Sequence, residues 1–537
     1  MMKLDRRQFL LSSAQAVALP SLLAKADAKP RLSVVHSSHK KLARPASIDD
    51  PLDYERVRDM VWKAIDYARP KAGSLEAKIK PGSWVVIKPN IVFLRPQEGY
   101  RAGDITDMRV TAAVLEYVAR KSRAGRITIA EGGTYRSVTD PAEDNVVKQN
   151  GVRVSAAGFD WGEQEFPGWG GSLQKMLDRY SREFPNKTFD FVDLSYDTVR
   201  DSSGNFRRLE VPKTARSVGA FGERKDYFVT KTITGCDFLL NVPVMKVHEQ
   251  CGITACFKNY VGTGPREAYA LKGGFANHYL HADHSLEGRI DSFICDLAAF
   301  HPPDYNVVDG IQGLQHATHN NNRPDQTVRT NVIVAGEDTV ATDSLVAHLL
   351  GFNGPDIEFL QMAAQRDLGV IDLARADVAG DDPDTYRRKW GKPKPWWGRC
   401  NREWRVSAQP ASDIRSWPKL TIPTDTLHFA RAVAGGAQKD ATYGAAVKVI
   451  AEGNRKAFLW VGAQGKFTAT LNGEKVMEEE SRTRYRIGQF QKPVELKPGE
   501  NLLKFELQAL TAQPDLSVLL VGPQNDGDTV DGIRWSA

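Results

Sequence analysis

Between about Lys29 and Asp381, short apolar runs alternate with segments of helical period, and this alternation constrains the fold more than any single motif. The apolar runs are Trp84–Ile87, Arg126–Ala130, Phe189–Leu194, Asp237–Asn241, Asn306–Val308 and Asn331–Ala335. Between them, Val110, Ala113, Val114, Tyr117 and Val118 share one helix face, and residues 53–67 and 339–350 read the same way. Strands alternating with amphipathic helices predict an α/β fold, a mainly parallel sheet with flanking helices. The stretch 155–188 is rich in Gly, Trp and charge and reads as an insertion or a long loop.

The period changes after about residue 420. Phe467, Ala469 and Leu471 alternate with Lys466, Thr468 and Thr470, and Asn472-Gly473 supplies a hairpin turn. Leu503, Phe505 and Leu507 alternate with Lys504 and Glu506. A C-terminal all-β sandwich domain over 421–537 follows. The α/β domain then spans 29–389, and 390–420 forms a Trp/Pro-rich connector. Trp390, Trp396, Trp397, Trp404 and Trp417 lie there, in number enough to stack on sugars or to cover a seam between domains.

Residues 1–28 read as an address. A basic start precedes a modest apolar run from Phe9 to Leu23 and small residues up to Ala28. Arg6-Arg7 before Gln8-Phe9-Leu10 resembles a twin-arginine export signal; the alternative is an ordinary secretory signal holding two arginines. The expected partner in export is the twin-arginine translocase, and the expected location is periplasmic or extracellular. The apolar run is too short for a comfortable span, so no stable membrane span is expected after cleavage. Net charge is +6 over 537 residues with no Lys/Arg block, which gives no support for nucleic acid. The five cysteines form no CxxC pair, so no iron–sulfur cluster is expected.

In open α/β sheets, ligands sit outside the carboxyl ends of the strands. Those ends here carry Lys88-Pro89-Asn90, Glu131-Gly132-Gly133, Lys246 with His248, Asp309-Gly310, and Glu337-Asp338 with Asp343 beyond. Residues 254–264 add Lys258 and Asn259. Any one of these fits a turn or a cap, and Asp338 reads equally as a helix N-cap. Their coincidence suggests a site. Lys88, Asn90, Glu131, Gly132 and Gly133 are assigned to ligand binding. Lys246, His248, Lys258, Asn259 and Asp338 are assigned to catalysis, the lysines holding an anion and Asp338 or Glu131 acting as acid or base. No GxGxxG, GxxxxGK[ST] or GxSxG motif is present to support a nucleotide or a serine hydrolase.

Six of eleven histidines fall between 278 and 319, with His278, His281 and His284 at spacings of three. Paired with His248 and Asp309, His281 and His284 form a ligand set for a divalent metal. The alternatives are a solvated His-rich loop, and carboxylates satisfied directly by Lys246 and Lys258, which needs no metal.

The series Ile87–Asn90, Ala130–Gly133, Asp237–His248, Thr254–Gly262, Val308–Ile311 and Ala335–Asp343 resembles, in order, the family known as domain of unknown function 362. Many members carry a ferredoxin-like cysteine cluster that this chain lacks, so the resemblance implies no electron transfer here. By motif order the Lys–His region is also similar to the nickel-pincer lactate racemase domain, which implies a lysine and histidines around a cofactor. Residues 425–525 resemble jelly-roll, galactose-binding-like modules. The expectation is an exported metal- or cofactor-dependent enzyme, of hydrolase, isomerase or racemase type, acting on an anionic small molecule or saccharide. The alternative is a non-catalytic protein that binds an anionic or glycan ligand in the same crevice.

Overall fold

The computed structural model describes residues 29–91, 103–132, 147–149, 152–154, 169–213, 219–221, 225–248, 251–269, 290–316, 326–391, 400–422, 425–481, 485, 487–512, 514–525 and 529–537. Residues 1–28, read above as an export signal, and Gly133, His278, His281, His284, Trp396 and Trp397 lie outside them.

The strands of the first unit that frame the site are β1 (Arg31–His36), β2 (Trp84–Pro89), β3 (Arg126–Glu131), β4 (Thr188–Asp193) and β5 (Phe238–Val242). They continue with β6 (Lys246–His248), β7 (Gly252–Thr254), β8 (Tyr305–Leu314), β9 (Thr327–Gly336) and β10 (Asp377–Gly380). Eight of them form one sheet in the order β10-β1-β9-β8-β5-β2-β3-β4, and β6 and β7 form a separate hairpin. Neighbours from β8 to β4 are all parallel, as are β1 and β10.

Each strand feeds two cores because successive side chains face opposite ways. Val85, Ile87, Ile127, Ile129, Leu240 and Ile333 pack under helices α1 (Tyr54–Tyr67), α2 (Met108–Lys121) and α3 (Leu173–Glu183). Val86, Ala130, Leu239, Val308 and Val334 pack under α4 (Asp291–Ala298), α5 (Thr339–Leu349) and α6 (Glu358–Gln365). Burial on both faces is why these strands read as continuous apolar runs. Helix α3 lies in the stretch read as insertion or loop: Ser172 caps it, and Leu173, Met176, Leu177 and Tyr180 form its buried face.

One strand departs from the parallel pattern. β9 runs antiparallel to both β1 and β8. The sequence between β8 and β9 shows no helical period, and antiparallel neighbours need no crossover helix. The carboxyl end of β9 therefore heads away from those of β2, β3, β5 and β8, and the shared edge expected for Asp338 is not formed.

The second unit is a pair of antiparallel sheets that share a buried face containing Leu459, Val461, Phe467, Leu503, Phe505 and Val518. Its first strands, Glu403–Ser407 and Lys419–Thr421, lie within the Trp-rich stretch. Trp404 belongs to the sandwich core, and Trp417 packs over Gly444. Trp390 joins Trp460, Tyr485, Ile487 and Leu519 in the cluster that contains the α4 and α5 core, so the sandwich packs directly on the first unit. Among the described residues no helix is long and apolar enough to cross a membrane.

Candidate functional site

The polar residues begin where the apolar runs stop. Lys88 of β2 is in register with Asn241 of β5, and Asn241 with Asn306 of β8. With strand alternation, all three side chains fall on the α4–α5 face. Asn241 donates to Asn306 Oδ1 (3.2 Å) and to the Cys256 carbonyl (3.0 Å). Asn306 in turn donates to Thr339 Oγ1 (3.1 Å) and the Gly336 carbonyl (3.2 Å).

Asn259 lies over this row. Its Nδ2 donates to Asn241 Oδ1 (2.7 Å) and to the Lys88 carbonyl (3.0 Å). Its Oδ1 accepts from Lys88 Nζ (3.1 Å) and Asn90 Nδ2 (3.3 Å). The turn that presents Asn259 is held from α5: Asp343 accepts the Cys256 N–H (2.7 Å) and the Phe257 N–H (3.0 Å) through separate oxygens. Burial pushes the Asp343 carboxyl up to about 6, although these bonds oppose the rise.

Lys88 and Glu131 form an ion pair (2.8 Å) in which each side chain is 2% exposed. Glu131 also accepts the Ile91 N–H (2.6 Å) and the Gly132 N–H (2.8 Å). Lys88 also donates to the Pro89 carbonyl (3.0 Å). The pair leaves no room above it: a Cβ on Gly262 would sit 2.1 Å from Glu131 Oε1 and 2.8 Å from Lys88 Nζ.

The hairpin β6–β7 brings in the second lysine. Met245 N–H bonds to the Asp309 carbonyl, which ties the hairpin to β8. Lys246 is fully buried and donates to the Asp104 carbonyl (2.5 Å). Burial pushes the Lys246 ammonium down to about 7; Asp104 and Glu131 oppose this, and Lys258 adds to it. His248 shares the Lys246 side of the hairpin and is also buried.

Lys258 is 7% exposed and donates no hydrogen bond to any described residue. Burial lowers its ammonium; Cys251 and Asp291 oppose the shift, Lys88 adds to it and Glu131 opposes it. Three buried lysines thus share one field with Glu131 and the Asp104 carboxylate. Asn90 Oδ1 and Thr254 Oγ1 are buried without a hydrogen-bond partner, the latter directly across the hairpin from Lys246. The Asn90 amide cannot simply be turned over, because its Nδ2 faces the Asn259 oxygen.

Asp309 and Asp338 sit apart from the lysine cluster. Asp309 accepts the Asp107 N–H (2.7 Å) and the Ile311 N–H (2.9 Å), one on each oxygen. Burial and then the Asp107 charge push its carboxyl up to about 7, against those bonds. Asp338 is the N-cap of α5, accepting the Ala341 N–H (2.9 Å), and it also takes the Val370 N–H (3.1 Å). Among the described residues no three His, Cys, Asp or Glu side chains converge as a metal site. The structure thus joins Lys88, Asn90, Glu131, Gly132 and Asn259 by hydrogen bonds and adds Lys246 and Lys258 through charge. Sequence reasoning did not assign Asn241, Asn306, Thr254 or Asp104 to the site. Asn241 and Asn306 carry the one available signal, a polar residue within an otherwise apolar strand.

The profile of a family described as domain of unknown function 362 matches residues 196–348, the stretch from Lys246 through Asp343 included. No curated protein matches the chain in sequence. Among solved structures, lactate racemase apoprotein from Thermoanaerobacterium thermosaccharolyticum aligns over 52% of this chain and 50% of its own, at 12% identity and a TM-score of 0.27. A β-glucosidase from Kluyveromyces marxianus aligns over 23% of this chain and 16% of its own, at 10% identity and TM-score 0.18. A family 35 carbohydrate-binding module from an environmental isolate aligns over 20% of this chain and 80% of its own, at 14% identity and TM-score 0.14. The chain therefore spans half of the racemase and a much smaller part of the glucosidase, and at such scores none of the three bears on the site.

Proposed function

We propose that the carboxyl edge of the sheet binds a small organic anion and that Lys246 exchanges a proton with it, an isomerase- or racemase-type activity. The observation that carries this reading is Lys258, a buried ammonium with no hydrogen-bond acceptor among the described residues. A buried cation is costly unless charge offsets it, and an anion beside Lys258 would supply that charge. Asn90 Oδ1 lacks a donor, so the ligand carries a hydroxyl or amine as well as its negative charge. Thr254 Oγ1 is free to meet the same group from the hairpin.

Lys246 has the chemistry for proton exchange. A lysine brought to about 7 gains and loses its proton readily near neutral pH, and a group with such a pKa is well matched to general acid–base work. His248, on the same side of the hairpin, is assigned as the partner acid. Lys88, paired with Glu131 beneath Gly262, fixes Asn259 and with it the turn that carries Lys258.

His248 and Asp309, with His281 and His284 beyond the described residues, are the donors a divalent metal would use. Asp309 already accepts two amide N–H groups, one on each oxygen. The sandwich is given a packing role, on the strength of its shared core with the first unit. The leader is taken to carry the protein out of the cytoplasm.

The test uses glycolate, the simplest hydroxycarboxylate, against its neutral analogue ethylene glycol. Calorimetric titration of the full chain should show saturable binding of glycolate alone. Lys258→Met should weaken it by about tenfold or more, the worth of one charge-assisted contact. Equal affinity in wild type and variant would refute the anion site. Binding without turnover of either enantiomer of a longer hydroxy acid would leave a capture protein and remove the proton-transfer role.

A further inference from the structure

A second cluster of reactive groups lies at the opposite edge of the sheet. Cys236 immediately precedes β5, and His301 and Asp304 immediately precede β8. His301 Nε2 is 3.2 Å from Asp304 Oδ2, and His301 Nδ1 is 3.8 Å from Cys236 Sγ. The order is thiol, imidazole, carboxylate, with the ring held between the other two.

The ring is fixed from several sides. The Tyr260 hydroxyl donates to the His301 carbonyl (2.5 Å). Asp304 is locked in turn, its Oδ2 accepting the Leu239 N–H (2.8 Å) and its carbonyl accepting from Lys78 Nζ (2.6 Å). Lys78 also pairs with Glu337 (3.0 Å), so it bridges the carboxylate to the neighbouring loop. Burial acts to lower the His301 ring, but hydrogen bonds to Asp304 and Cys236 and their charges raise it to about 10. The ring therefore carries a proton on each nitrogen at neutral pH, one directed at the carboxylate and one at the sulfur.

The remaining thiols have no such setting. Cys236 is 7% exposed, against 2% or less for Cys251, Cys256, Cys295 and Cys400. Burial, with Asp343 adding to it for Cys256 and Asp296 for Cys295, pushes both thiols well up.

We propose that Cys236, with His301 as its imidazolium partner and Asp304 as the residue that orients the ring, is a nucleophilic site that forms mixed disulfides with low-molecular-weight disulfides. The Cys236 sulfur, its proton given up to solvent, attacks one sulfur of the incoming disulfide beside the His301 Nδ1–H. A new S–S bond forms to Cys236 and the original S–S bond breaks. Its electron pair leaves on the second sulfur as a thiolate, which takes a proton back from solvent and departs as a thiol. Atoms and electrons balance with the disulfide as the only co-reactant. This site and the lysine cluster lie at opposite ends of β5, linked through the turn that carries Lys258, Asn259 and Tyr260.

The experiment exposes the folded full-length protein to oxidised glutathione at pH 7 and maps adducts by peptide mass spectrometry over time. The expected result is an adduct on Cys236 that forms at least about tenfold faster than on any other cysteine, as a thiol paired with an imidazolium should. His301→Gln should slow that adduct by about tenfold or more without changing the circular dichroism spectrum. Mapping of the wild-type protein stands even if the variant folds poorly. First modification at another cysteine, modification only after denaturant is added, or an unchanged rate in folded His301→Gln would overturn the proposal.

Discussion

Replacing Lys88 by methionine tests whether the strand ends are held by charge. The methionine side chain keeps most of the lysine stem but removes three donated bonds, to Glu131, Asn259 and Pro89. Glu131 would remain 2% exposed and without its partner. Breaking a buried pair from one side costs about 3–5 kcal/mol. The expected loss lies at the low end, about 3 kcal/mol, because Glu131 keeps the Ile91 and Gly132 N–H bonds. Urea unfolding followed by far-ultraviolet circular dichroism would measure it. Adding Glu131→Gln removes the stranded charge, so the double variant should recover about 1–2 kcal/mol of the loss. A loss below about 1 kcal/mol for Lys88→Met, the level of an exposed pair, would refute the reasoning. So would a double variant less stable than the single one.

Asp343→Asn replaces one of two acceptor oxygens by a donor that faces a backbone N–H. It should cost about 1–3 kcal/mol in the same unfolding assay and weaken glycolate binding by displacing Asn259; unchanged stability would contradict the anchoring role. Arg6→Lys with Arg7→Lys should leave the precursor in the cytoplasm on fractionation, whereas normal export of that variant would favour an ordinary secretory signal.

Much of the sheet was legible because its central strands are buried on both faces. Trp84–Ile87 and Asp237–Asn241 announce β2 and β5 nearly to the residue. Strand direction is not written in such a run, so the reversal of β9 had to be inferred from what lies between β8 and β9. Helix α3 carries a clear periodic face, but the surrounding Gly and Trp conceal it. The strand Glu403–Ser407 alternates correctly, with Trp404 and Val406 buried, yet sits in a stretch whose tryptophans and prolines draw the eye first. In the site, Lys88, Asn90 and Glu131 follow from the rule of strand ends, and Asn259 from the separate stretch 254–264. Asp104 does not, because it meets Lys246 through its backbone carbonyl, and a carbonyl has no signature in sequence. Asp338 shows the limit of the same rule: a carboxylate just before a helix serves its N–H groups first.

The most direct measurement of the central claim is the proton balance of anion binding. Lys246 is held near 7 by burial and by Lys258, and a bound carboxylate should raise it again. Glycolate stays ionised from pH 5.5 to 8, so protons exchanged on binding come from the protein. Calorimetry in buffers of different ionisation enthalpy should report uptake of about half a proton at pH 7, falling toward none at pH 5.5 where Lys246 is already charged. Lys246→Met should abolish the uptake at pH 7. Binding with no proton uptake at pH 7, or uptake that persists in Lys246→Met, would contradict a half-charged lysine facing the anion.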